Sequence, residues 1–479
     1  MKTSKYFDLG KSQYELDFVD IDPDIDTRLF LDPYFISKCE FPFASDAQGT
    51  LRSYFEYLLA LLRGDRIKQA KEIFKHLGET NDICLGMSQG KPRGKGMGPK
   101  DAEKIFGQLL HSRAIKSGVM EDIEDFRIFV PNVDKDKVSD MTANIVKKHL
   151  LAYTQEQCQL LDIPLTANVP SGMFWDSNRK SWENEYTERL VVNGKPILLV
   201  PKRVVSFSDK YTPTEYREHF VLSYLQNEHL KLQSSLVLNR KDGTPYVTKN
   251  SIREKENIDK AYLAQFTERY PEVFADFKSA TLKKYRKIDG GVLDDANVDD
   301  VCKYLITKLN SIKRGASTAS HYHNIMIGIL ELLLFPNLST PKKEVPIHEG
   351  RKRIDITFNN SADDGFFSRL PNMNPLLPCP FVFVECKNYT GEIANPELDQ
   401  MMGRFSTNRG RVGIIVCRSL DNDKLFLQRC SDTLSDGNGL IIPITDTDIL
   451  SALSDFPSAG VDAFEKILES KYRTIALLT

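Results

Sequence analysis

The chain has 479 residues, of which 41% are hydrophobic and 27% charged, and its net charge is −2 at pH 7. That length supplies two or three domains with cores of their own, and the near-neutral balance excludes binding of a polyanion through the overall field, leaving local basic clusters for any such contact. Eight cysteines with no C-x-x-C pair argue against zinc and against a disulfide framework.

Met1 to Asp8 lacks the apolar run of a signal peptide, and the longest apolar stretch, around Ile325 to Phe335, is too short to span a membrane. A cytoplasmic location without membrane association is expected. The acidic stretch Asp20 to Asp26 is not a calcium loop, because Ile25 and Leu31 stand where glycine and glutamate are needed. From Leu51 to His76 the spacing of Leu58, Leu59, Leu61, Leu62, Ile73 and Phe74 predicts packed helices.

The segment 86–100 interleaves five glycines with Lys91, Arg93, Lys95 and Lys100, and Pro99 opens a helix after it. It reads equally as a solvated loop or as a grip on nucleic-acid backbone that carries no sequence information. Met141 to Leu161 predicts one long amphipathic helix. Asn193-Gly194 between apolar runs predicts a tight hairpin over Arg189 to Val200. Helices are expected from Thr214 to Leu232, and the polar run Asn239 to Pro245 is a candidate boundary. Ser251 to Leu309 alternates helical patterns with charge. The division that results is an α+β regulatory or targeting domain over 1–238, a helical linker over 239–316, and an α/β domain over 317–479.

In the last third, Tyr322 to Phe335 predicts an apolar helix stopped by Pro336. Arg353 to Phe358 and Pro380 to Asn388 predict strands, each carrying one misplaced acid. Asn395 and Pro396 open a helix that carries Gln400 and Arg404 at helical spacing. A strand over Val412 to Cys417, a helix over Asp423 to Leu434, a strand over Leu440 to Ile444 and a helix from Asp446 or Thr447 complete the order. Strand, helix, strand with a short crossover implies parallel pairing.

Glu385 and Lys387 share one strand face, with Cys386 opposite. If Asp355 lies on the neighbouring strand, two carboxylates and an ammonium converge at the end of an apolar sheet. Carboxylates that close repel unless a divalent cation sits between them, and hard oxygen donors suit Mg2+ or Mn2+. A lysine beside such a cation holds the attacking water and offsets charge on a phosphate. The bland alternative is a solvated strand end, but Phe381 to Val384 is apolar throughout, which makes charge there costly without a purpose.

Asp355 with Glu385-Cys386-Lys387 resembles the D…E-x-K signature of the PD-(D/E)XK nuclease superfamily, and the element order resembles its Mrr-like and Holliday-resolvase-like branches. Ile354 departs from the proline often found before the aspartate. The resemblance implies a restriction-endonuclease-like fold, a mixed central sheet flanked by helices, beside a larger α+β N-terminal region. It implies a magnesium-dependent nuclease in antiphage defence or restriction, with Asp355, Glu385 and the Cys386 carbonyl on the metal and Lys387 at the water. It adds Gln400, and a third acid on the preceding helix, for which Glu331 is the candidate and His323 and Asn324 the alternatives. Arg353, Arg404 and Arg409 flank these residues and are candidate phosphate contacts, with Lys91, Arg93 and Lys95 from the glycine-rich loop. Duplex DNA, a homo-oligomer and a regulatory or phage-derived trigger are the expected partners. The rival readings are a catalytically silent nucleic-acid-binding module and the nuclease subunit of a recombination or transposition complex.

Overall fold

Val412–Cys417 is buried at all six positions, which a strand can be only when both faces of its sheet are covered. It is the fourth strand of a five-stranded sheet in which spatial order follows chain order. We label these strands β1 (Leu338–Ile347), β2 (Lys352–Asn360), β3 (Phe381–Lys387), β4 (Val412–Cys417) and β5 (Leu440–Thr445). The computed structural model describes residues 1–39, 41–86, 99–118, 120–207, 211–283, 296–347, 352–391, 393 and 395–478.

β1 and β2 pair antiparallel, as do β2 and β3, whereas β3 with β4 and β4 with β5 are parallel. The helices of this region are α1 (Val298–Ser311), α2 (Ala319–Leu334), α3 (Gly365–Met373), α4 (Asn395–Met402), α5 (Asp423–Ser435), α6 (Asp446–Ala459) and α7 (Asp462–Leu477). The two parallel steps cross through α4 and α5, as the sequence order requires. The protein is therefore mixed α/β with a mixed C-terminal sheet. β1 is the strand that periodicity does not announce. Pro341 and Pro346 interrupt its pattern and a register shift falls between Ser339 and Lys342, features tolerated at the edge position it occupies.

Buried apolar residues form two clusters. One runs from Leu16 to Phe277, and the other holds Val301 to Ile475 together with Leu160. The described residues of 249–283 and 298–311 are largely helical, but they divide between the two: Ile252, Leu263 and Phe274 enter the first, Val301, Leu305 and Leu309 the second. The polar run proposed as a boundary is a small antiparallel pair, Leu238–Asn239 with Pro245–Tyr246, and the first core continues beyond it. In the first unit Val192 pairs with Lys195 across Asn193 and Gly194, both at positive φ, which makes the expected hairpin. The long helix expected over 141–161 is two, Lys135–Ile145 and Lys147–Leu160, meeting at Val146. There the Asn144 amide donates to the Asp140 and Gly78 carbonyls, so the junction is tied to a neighbouring loop as well as to its own helix.

Helix α2 joins the units. Gly328 lies so close to the first unit that a Cβ there would stand 2.5 Å from Lys11 Nζ and 2.9 Å from Glu15 Oε1. Lys202 Nζ pairs with Glu331 Oε1 at 3.2 Å, and the buried Asp17 carboxylate accepts from the Thr340 N–H at 2.9 Å and the Tyr153 hydroxyl at 2.6 Å. Arg203 donates to the Pro336 and Ser361 carbonyls. Among the described residues no helix is long and apolar enough to cross a membrane.

Candidate active site

The ladder between β2 and β3 begins at Ile356 opposite Val384. One residue outward, antiparallel register sets Asp355 against Glu385, and here side chains replace the backbone pairing. The Asp355 N–H donates to Glu385 Oε1 at 3.4 Å, and the Cys386 N–H donates to Asp355 Oδ2 at 3.1 Å. Each carboxylate thus satisfies an amide on the opposite strand just where the strands part, which fixes both acids at the sheet's end. On its other side β3 stays paired, with Glu385, Cys386 and Lys387 opposite Ile415, Val416 and Cys417 of β4.

Lys387 lies on the Glu385 face, as the period of a strand dictates. Its Nζ is 3.2 Å from Glu385 Oε2, donates to Gln400 Oε1 at 3.4 Å, and sits 5.8 Å from the centre of the Tyr389 ring. Gln400 is exposed on α4, and this bond ties it to the cluster. Beyond the strand, the Asn388 amide donates to the Lys313 and Gly315 carbonyls and to Thr318 Oγ1, tying the end of β3 to the loop that enters α2.

Arg404, two residues past the end of α4, is 3% exposed, and its guanidinium lies against Glu385 Oε1. Burial lowers its pKa and Asp355 opposes that. A candidate phosphate contact by sequence, it stands here as Glu385's partner. Arg409 points its Nε and NH2 at the Arg404 carbonyl, at 3.3 and 3.2 Å. The side chain of Arg353, and Lys91, Arg93 and Lys95 altogether, lie outside the described residues. Two neighbours of the predicted basic rim are engaged with the first unit: Lys342 pairs with Glu156, and Lys343 with Asp162 at 3.1 Å.

Glu331 belongs to a different cluster. It is 1% exposed, and its pKa is pushed up to about 8 by burial, with Lys202 opposing and Asp17 adding. Its partners are groups of the first unit, so the third acid suggested for the site is a joint between units. Of the two alternatives, His323 is half-buried and Asn324 exposed, its carbonyl accepting from Lys11 Nζ at 3.1 Å. Burial, then Asp355, drives the Cys386 thiol well up, and the period of the strand sets it on the face opposite Glu385 and Lys387. Only its backbone suits the role expected of it.

Sequence reasoning missed a second polar cluster at the carboxyl ends of β4 and β5. The Tyr322 hydroxyl donates to Asp446 Oδ1 at 2.8 Å, and Arg418 Nε meets Asp446 Oδ2 at 3.1 Å. The acid opening α6 was legible, but its partners are set by tertiary packing.

The donor chemistry fits a hard divalent cation. Two carboxylates are locked to the same stretch of backbone, and Glu385 Oε2 is buried without a hydrogen bond. Among the described residues no three His, Cys, Asp or Glu side chains form a metal-holding group, but magnesium needs only one or two carboxylates when waters and substrate oxygens complete its shell. Against this, Glu385 already faces two cations, Lys387 and Arg404.

No curated protein and no solved structure matches the chain. Residues 8–212, within the first unit and apart from β1 to β5, match a family model described as a domain of unknown function, DUF8370.

Proposed function

We propose that the C-terminal unit hydrolyses phosphodiester bonds of nucleic acid with the help of a divalent cation, Mg2+ or Mn2+. The observation that carries this reading is the meeting of Asp355, Glu385 and Lys387 at one point where β2 and β3 diverge. Asp355 Oδ and Glu385 Oε, with the Cys386 carbonyl, would hold the cation. A bound magnesium ion supplies Lewis-acid withdrawal of charge from a phosphate oxygen. Lys387, steered by Gln400, donates a hydrogen bond to the attacking water and sets a positive charge beside the phosphate. The family resemblance favours duplex DNA as substrate, restriction or antiphage defence in the cytoplasm as setting, and an oligomer as the working form. The first unit, packed along α2, is suited to restraining or directing the cut.

One observation favours a rival. Glu385 is matched by two cations, as expected of a silent binding module that retains the residues for structure. Incubating the purified chain with duplex DNA, single-stranded DNA and RNA, with and without magnesium, separates the two. Cleavage that requires magnesium and falls about 100-fold or more in Glu385→Gln supports the nuclease. Binding without cleavage in all three substrates refutes it.

A further inference from the structure

Resting on the nuclease reading, we infer that Arg404 is a resident stand-in for the divalent cation, occupying Glu385 until metal displaces it. The Glu385 carboxylate is 1% exposed, with Lys387 Nζ 3.2 Å from Oε2 and the Arg404 guanidinium against Oε1, the oxygen a cation would share with Asp355. The backbone behind that guanidinium is anchored. The Arg404 N–H donates to the Met401 carbonyl at 3.0 Å, and Ser406 and Gly410 exchange backbone bonds at 3.1 and 2.8 Å. Phe405 stacks on Phe383 of β3 with ring centres 5.9 Å apart. Because that backbone is held to α4 and β3, the exchange falls to the Arg404 side chain.

The exchange has two consequences. Metal must compete with an internal cation, so its affinity for the free protein is held down by the whole of the Arg404–Glu385 contact. The displaced guanidinium remains beside the site, where its fork matches two phosphate oxygens. The same residue thus delays metal loading and then becomes available to substrate.

The test is Mn2+ binding to the full chain by isothermal titration calorimetry without nucleic acid, comparing the parent with Arg404→Met and Arg404→Lys, folding being followed by circular dichroism. Arg404→Met is expected to bind Mn2+ at least 10-fold more tightly, and Arg404→Lys, a cation without the fork, to fall between. If Arg404→Met does not fold, a several-fold tightening in Arg404→Lys alone carries the claim. Measurable Mn2+ binding of equal or lower affinity in the folded variants overturns the stand-in role and leaves the nuclease reading intact. No Mn2+ binding in any of the three overturns both.

Discussion

Replacing Glu331 by alanine tests how the two units are coupled. The Glu331–Lys202 pair is 3.2 Å apart with both side chains 1% exposed. Lys202 Nζ otherwise has the Gln13 carbonyl at 3.4 Å and the face of Phe335 at 4.2 Å. Glu331→Ala leaves that ammonium buried with those neighbours and the Asp17 carboxylate, and removing one partner of a buried pair costs at most about 3–5 kcal/mol. Replacing both with apolar residues, Glu331→Leu with Lys202→Met, recovers most of the loss, because the desolvation cost goes with the charges. The sign of the pH dependence follows from the carboxyl's pKa, raised to about 8 in the fold mainly by burial. A raised acid favours the protonated folded state, so its contribution is full below the unfolded carboxyl's titration and is lost as pH rises through about 8. The slope reaches at most about 1.4 kcal/mol per pH unit. Urea unfolding at several pH values from roughly 5 to 9, the span of the shift, reads both effects, with Glu331→Gln, which cannot titrate at that position, as the reference that lacks the Glu331 slope. A Glu331→Ala protein within about 1 kcal/mol of the parent, or a Glu331→Gln protein that keeps the parent's slope, refutes the buried pair.

Gly328→Ala should destabilise by about 1–3 kcal/mol despite alanine's better helix propensity, because the new methyl meets Glu15 Cβ at 3.3 Å and the Glu15 and Lys11 side-chain ends closer still; thermal unfolding checks it. Asn388→Ala strips donors from two carbonyls and a hydroxyl of the loop before α2, and amide exchange over 313–318 should quicken. Cys386→Ala should retain Mn2+ binding within about threefold, well under 1.4 kcal/mol, since only the Cys386 backbone engages Asp355. A large loss in calorimetry would mean that the thiol takes part.

The sheet was legible where burial is two-sided. Val412–Cys417 and Leu440–Thr445 are apolar at nearly every position, and α4 starts at Asn395 with Pro396 in its first turn, one residue earlier than a cap at Asn395 would set it. The meeting of Asp355, Glu385 and Lys387 was legible too, because two antiparallel strands and a period of two place those residues with few alternatives. What escaped depends on contacts far apart in sequence. Arg404 reads as a phosphate contact by charge, and only packing turns it onto Glu385. Glu331 sits on a helix that is apolar nearly all round, so periodicity does not choose which neighbour it faces, and the first unit decides. β1 was hidden by its prolines, and the break at Val146 by a helical pattern that continues across it.

In the proposed site Lys387 acts beside two acids that hold a cation. Single-turnover cleavage of duplex DNA by Lys387→Met, with Mn2+ binding measured on the same preparation, tests that division of labour most directly. Metal binding kept and cleavage lowered by roughly 100-fold or more is the predicted result. Cleavage at the parent's rate by the variant contradicts it.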